Sequence, residues 1–537
     1  MSFRLNDYEQ FSIFDTMCSL TPREKKALEN SWAKVFAEDV FPAIDEERFS
    51  VLYSSDSGSR PNTPVNVIIG ALILKELFDL SDDEVVENLL LDPRFQYALH
   101  TTSFEEQPIS DKTLTRFRQR CYNYEQLHGV DLYHDVIVDL GAKTARLMGM
   151  DRRIRRMDSM MIEAGIRKLS RMELIYKCIA KMVSWLHKNG HDDIIGGMEH
   201  YYDPNDFNAV IYHARSTDTD DRLETLLKDA GELVKQCEGQ FDEVTEFQLL
   251  VRCLSEQTIV ESGKRRLKTK EDGQMGSNIL QNPSDPEATF RTKVGKQHRG
   301  YVANIEESVD ENGSIITDYQ FETNNTSDSA MLKEILSETE KQDETVTLIA
   351  DGAYAGEENT RLAAEKNINL ITTDLPGQDA PEILSMYELN EDETRVVKCP
   401  MGYTPKSSSY IRQTQTCTAS FPKQCCENCP HKEDCNAKIF KKVAKIRITG
   451  KLIRRAELQK KMKGDEYKLY ARLRNGVETV PSILRNIYHA DRMRAKGKMR
   501  NKFFFGSKVA AFNFRKLFNF RKGRGNYAQN PLLTAIK

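Results

Sequence analysis

Apolar residues recur along this chain in two rhythms, one helical and one of strands. The helical rhythm opens with Val65, Ile68, Ile69, Leu72, Ile73 and Leu77, behind Thr63 and Pro64, which suit an N-cap and a first helical residue. A second helix carries Val85, Val86, Leu89 and Leu90 after the capping-box pair Ser81 and Glu84, and should end near Asp92, ahead of Pro93. Ser110 caps a third, DKTLTRFRQRC, which turns Leu114 and Phe117 inward and leaves Arg116, Arg118 and Arg120 for solvent or phosphate. Three short capped helices with a basic last member predict a helical DNA-binding domain over residues 1–145, of helix-turn-helix type. The same rhythm returns in RMELIYKCIAKMVSWLHK and LETLLKDAGELVKQC, a helical insertion over 171–280. Its Trp185 and His187 read as packing rather than as ligands.

The strand rhythm begins at 150–170, where MDRRIRRMDSMMIEAG predicts a strand running into Asp158. GYVANIEESV and SIITDYQFE, joined through Glu311-Asn312-Gly313, predict a hairpin. The stretch TVTLIADGAYAGEENTRLAAEKNINLITTD at 345–374 then reads as strand, turn, helix and strand. Val346, Leu348 and Ala350 share one face of a buried strand that ends on Asp351, at the edge where open α/β sheets gather reactive groups. The plainer reading is an aspartate opening an Asp-Gly turn. Hairpin strands followed by a parallel crossover predict a ribonuclease H-like mixed α/β core over 281–385, completed by the strand at Asp158.

Composition adds a partner. The chain has 537 residues, 39% of them hydrophobic, which is enough for several cores, and its net charge is only -4. Residues 436–537 nevertheless hold 28 Lys+Arg against 5 Asp+Glu, while the remainder holds 49 against 76. That asymmetry points to a polyanion for the C-terminal fifth. The start MSFRLNDYEQ has no basic n-region or apolar h-region, so a cytoplasmic protein is expected. Eleven cysteines in such a chain suggest metal before disulfide. Six of them, Cys399, Cys417, Cys425, Cys426, Cys429 and Cys435, fall in a Cys-rich insertion over 386–450. Cys426 and Cys429 form a CxxC that, with Cys399 and Cys435, suits a tetrahedral structural zinc site. The choice among Cys417, Cys425 and Cys426 stays open, as does a set of free thiols.

Four stretches in order, MDSMMIEAG, DPEATFRTKVGKQHRGYVANIE, ADGAYAGEENTRLAAEKNINLITTD and RNGVETVPSILR, resemble the DDE transposases of bacterial insertion sequences, and PVNVIIGALILKEL with ISDKTLTRFR is similar to their N-terminal part. The resemblance implies that Asp158, Asp351 and Glu478 chelate two Mg2+ ions, across separations of 193 and 127 residues. The family's tyrosine, arginine, glutamate and lysine series is matched by Arg474 and Glu478, with Ala471 in the tyrosine position and Arg485 in place of lysine. Pro481 sets Glu478 at a helix start. The basic segment 451–537, which holds aromatics between its cations, is expected to complete the core, and Asn513 resembles the asparagine of the closing helix. Expected DNA contacts are Arg116, Arg118, Arg474, Arg485, Lys498, Arg500 and Lys508. The implied activity is binding of terminal inverted repeats, Mg2+-dependent cleavage and strand transfer by a homo-oligomer on double-stranded DNA of the nucleoid. A nuclease of the same fold, or a transposase-derived DNA-binding protein, are the alternatives. Asp374, at the end of the next strand, competes with Asp351 for the metal.

Overall fold

The computed structural model describes residues 1–7, 15–56, 58–104, 106–212, 219–273, 276–293, 295–373, 379–493 and 495–524, so Asp374 lies outside the described residues. The chain divides into two compact units. The first combines Met1–Arg152, Asp158–Met331 and Thr479–Gln529, and the second joins Arg153–Met157 to Leu332–Glu478. No helix among the described residues is long and apolar enough to cross a membrane.

In the first unit the expected helices form, the first of them one residue later than expected, with Pro64 as its N-cap and no side-chain cap bond. Helix α1 (Val65–Leu77) is apolar all round and buried along its length. Helix α2 (Asp82–Leu91) starts at the Ser81–Glu84 capping box, and α3 (Asp111–His128) starts at Ser110 and stops at Gly129, whose φ of 69° is a left-handed cap. Helix α4 (Leu132–Leu147) follows. These helices share one hydrophobic core with the hairpin strands and with residues 503–517. The hairpin is β3 (Lys296–Asp310) and β4 (Gly313–Thr323), paired from Tyr301↔Thr323 to Asp310↔Gly313, with β2 (Thr289–Lys293) also antiparallel to β3. Asp310 Oδ1 accepts the N–H groups of Asn312 and Gly313 at 2.8 and 3.2 Å, which closes the predicted turn.

The last long helix, α6 (Lys498–Arg521), runs through this core. Phe503 stacks on Tyr133 at 3.7 Å between centroids, and Phe505 lies 5.5 Å from Tyr319. Asn513 offers its amide to both backbone groups of Ile316, accepting its N–H at 3.0 Å and donating to its carbonyl at 2.8 Å. A Cβ on Gly141 of α4 would meet that same carbonyl at 2.8 Å, so the close approach requires glycine there. The helical insertion closes a separate core of its own, from Leu174 to Leu280.

The second unit contains the parallel crossover. Strand β5 (Val346–Ala350) pairs with β6 (Ile368–Thr372) from Val346↔Ile368 to Ala350↔Thr372, and the helix Glu357–Glu365 connects them. The other edge of β5 pairs in parallel with the start of β1 (Ile154–Glu163), ending at Arg156↔Ile349. Strand β1 then continues into the first unit, where it neighbours β3. Further along, the Cys-rich segment folds as a four-stranded antiparallel sheet, with Ser407–Ile411 on Thr416–Pro422 and the latter on Val443–Ile448. Helix α5 (Asp465–Asn475) closes the unit.

Candidate active site

Asp351 follows the last paired residue of β5. Its Oδ1 accepts the Ala353 N–H at 2.8 Å and so caps the turn Gly352–Tyr354. The plain reading of this aspartate therefore holds, and it costs only one oxygen. Oδ2 lies 3.5 Å from Nη2 of Arg474, on the last turn of α5. Nη1 of the same guanidinium lies 3.2 Å from Oε1 of Glu478, one helical turn onward. Arg474 is 19% exposed and stands between carboxylates that are 28% (Asp351) and 64% (Glu478) exposed. Glu478 ends the short turn Gly476–Glu478, which separates α5 from the helix Thr479–Asn486. Pro481 sits in the first turn of that helix, as its chemistry demands.

One residue that the sequence reading missed holds this arrangement in place. Arg156 is 4% exposed and donates from Nη1 to the carbonyl of Leu473 at 2.9 Å, near the end of α5, a carbonyl that also accepts the Gly476 N–H. A Cβ on Gly476 would fall 2.5 Å from that nitrogen, so glycine leaves the room the guanidinium occupies. The available signal was the period of two, which puts Arg156 on the same strand face as Asp158. Asp158 lies in the first unit, and its Oδ1 accepts the N–H of Ser159 at 2.9 Å.

The structure thus joins Asp351, Glu478 and Arg474. Among the described residues, no three His, Cys, Asp or Glu side chains stand close enough together to hold a metal ion. The pair that is joined consists of hard carboxylate oxygens, a donor type that suits Mg2+ and similar divalent ions.

Besides Arg474, three of the expected DNA contacts make ion pairs within the protein. Arg118 is buried and makes a bidentate pair with Asp82 at 2.6 and 2.8 Å. Lys508 is buried in an ion pair with Glu76, and Lys498 pairs with Glu322. For the buried Arg118 and Lys508, desolvation selects an internal carboxylate over a phosphate outside. The aromatics of α6 lie in the core or, for Phe504, Phe518 and Phe520, pack partly buried against it. Arg116, Arg485 and Arg500 remain exposed.

In the Cys-rich sheet, Cys399 opens a turn in which its carbonyl accepts the Gly402 N–H at 2.8 Å. Tyr387 Oη lies 2.8 Å from Sγ of Cys435. Burial, then the neighbouring Cys435, Cys399 and Cys429, pushes the Cys426 thiol up to about 11. Cys417 is instead buried in the core, with Sγ 3.2 Å from the Glu393 carbonyl.

Residues 398–518 match the family model described as Transposase DDE domain, and residues 24–120 match the one described as Transposase domain (DUF772). The first match takes in Glu478 and all six clustered cysteines, while Asp158 and Asp351 precede it. No curated protein and no solved structure matches the chain.

Proposed function

We propose that this chain, an insertion-sequence transposase of the DDE class, binds the terminal inverted repeats of its element, cleaves the DNA ends and joins the freed 3′-hydroxyls to target DNA. The observation that carries the reading is the convergence of Asp351 and Glu478 on one guanidinium, from positions far apart in the chain. Asp158 is the third acid. Arg156 and Ile349 are register partners, and Asp158 and Asp351 each follow two residues later in the sequence. Hairpin, crossover and a shared β1 support a ribonuclease H-like core.

Asp158, Asp351 and Glu478 are the residues that would hold Mg2+. When bound, a metal pair stabilises the attacking and leaving oxygens of an in-line displacement at phosphorus, first with water and then with the 3′-hydroxyl. Arg156 keeps the end of α5 against the strand, and so keeps Glu478 and Arg474 within reach of Asp351. Arg116, Arg474, Arg485 and Arg500 are the phosphate contacts of this reading, and the complex on DNA is a homo-oligomer at the nucleoid. Cys399, Cys426, Cys429 and Cys435 are the residues that would hold a structural zinc ion, although the described residues do not bring three of them within reach of one ion. Zinc content near one per chain, lost in Cys429→Ser, is expected, and content near zero would remove zinc from the account.

A plasmid carrying the genomic sequences that flank the gene, incubated with the protein, Mg2+ and a second plasmid, tests the function. Joined products are expected. Cut ends without joined products would favour a nuclease of the same fold.

A further inference from the structure

We propose that Arg474 is the resident counter-ion of the Asp351–Glu478 carboxylate pair, and that it yields those oxygens when a divalent cation binds, which frees its guanidinium for a DNA phosphate. The proposal rests on the metal-site reading above and adds a competition within that site. Three observations carry it. Arg474 touches both carboxylates through different nitrogens, so one cation is shared between two acids and leaves the pair a net negative charge. The contacts, at 3.2 and 3.5 Å, are longer than the 2.7–2.9 Å of tight charge-assisted pairs. Nε of Arg474 is buried and finds no acceptor among the described residues, so the guanidinium still has a donor to spend.

Chemistry makes the competition unavoidable. Arginine does not lose its proton in a protein, so it can leave the carboxylates only by moving. A carboxylate oxygen that coordinates a divalent ion has little left for a guanidinium on the same side, and two ligands that exclude each other weaken each other reciprocally. A displaced guanidinium offers the planar fork that matches phosphate oxygens. Metal entry and capture of the DNA backbone are thereby coupled through one side chain. The anchor on Leu473 by Arg156 keeps the helix end fixed while the Arg474 side chain changes partner.

The experiment measures Mn2+ binding to the full-length protein without DNA, by the electron paramagnetic resonance signal of unbound Mn2+. Arg474→Gln removes the competing charge and is expected to tighten Mn2+ binding roughly tenfold, while Arg474→Lys stays near the wild type. Asp351→Asn, alone or with Arg474→Gln, is expected to abolish the tight binding. Mn2+ binding by a folded Arg474→Gln protein that is no tighter than wild type would overturn the proposal, and Arg474→Met serves if the glutamine variant melts early. Wild-type Mn2+ binding by Asp351→Asn would instead sink the assignment of Asp351 to the metal, a failure distinct from that of the counter-ion.

Discussion

Lys508 decides between two uses of the basic C-terminal segment. Sequence composition assigns it to DNA, whereas in the fold its ammonium is buried against Glu76, with side chains 10% and 7% exposed. Lys508→Met keeps most of the apolar stem but strands a carboxylate in the core. Removing one partner of a buried pair costs about 3–5 kcal/mol. Lys75 Nζ, 3.2 Å from the other oxygen of Glu76, remains as partial compensation, so a loss of about 2–3 kcal/mol is expected. The reverse change on top, Glu76→Met with Lys508→Met, removes both charges and should return stability to within about 1 kcal/mol of wild type. Urea unfolding followed by circular dichroism reads both effects. DNA binding at several salt concentrations reads the alternative, because each lost phosphate contact lowers the slope of log K against log salt by about one. The double variant should keep the wild-type slope. A stable Lys508→Met protein whose DNA slope falls by one would refute the structural assignment.

The His134 imidazole gives a pH test. Burial opposes its charge, but Asp135 and Asp318 outweigh burial and raise it from 6.5 to about 9. Protonated His134 therefore stabilises the fold fully below about pH 6.5, and the contribution, up to about 3 kcal/mol, is lost as pH rises through about 9. The urea midpoint should fall between pH 6.5 and 9.5 in wild type and fall much less in His134→Gln; equal falls would contradict the assignment. Gly476→Ala places a methyl 2.5 Å from the Arg156 guanidinium, and is expected to reduce cleavage at least tenfold while leaving DNA affinity within about twofold. Wild-type cleavage by that variant would remove Arg156 from the positioning of Glu478.

The parts of this fold that were legible in the sequence are those decided within a few residues. Ser81 and Glu84 announce a helix start because the two groups cap each other. Asn312-Gly313 announces a hairpin because few residues suit that turn. The run from Val346 to Ala350 reads as a strand because all but Thr347 are buried. Partnerships across the chain left no such mark. Lys508 meets Glu76 across 432 residues, and Asn513 serves the backbone of Ile316 across 197. Nothing local distinguishes those side chains from a phosphate-binding lysine or a surface amide. At the site, Arg474 and Glu478 were visible through the family series that they resemble. The dependence of Gly476 on Arg156 was not, since it needs β1 and α5 to be placed together first.

The central claim is that Asp158, Asp351 and Glu478 act as the metal-holding acids of a DNA-joining enzyme. Its most direct test is Asp351→Asn, which removes one charge and preserves an oxygen that can cap the turn with Ala353. DNA carrying the element ends, mixed with the wild type and with this variant in Mg2+, should show equal end binding by gel shift. Strand cleavage should fall by at least about three orders of magnitude in the variant. Cleavage at the wild-type rate by Asp351→Asn would contradict the account.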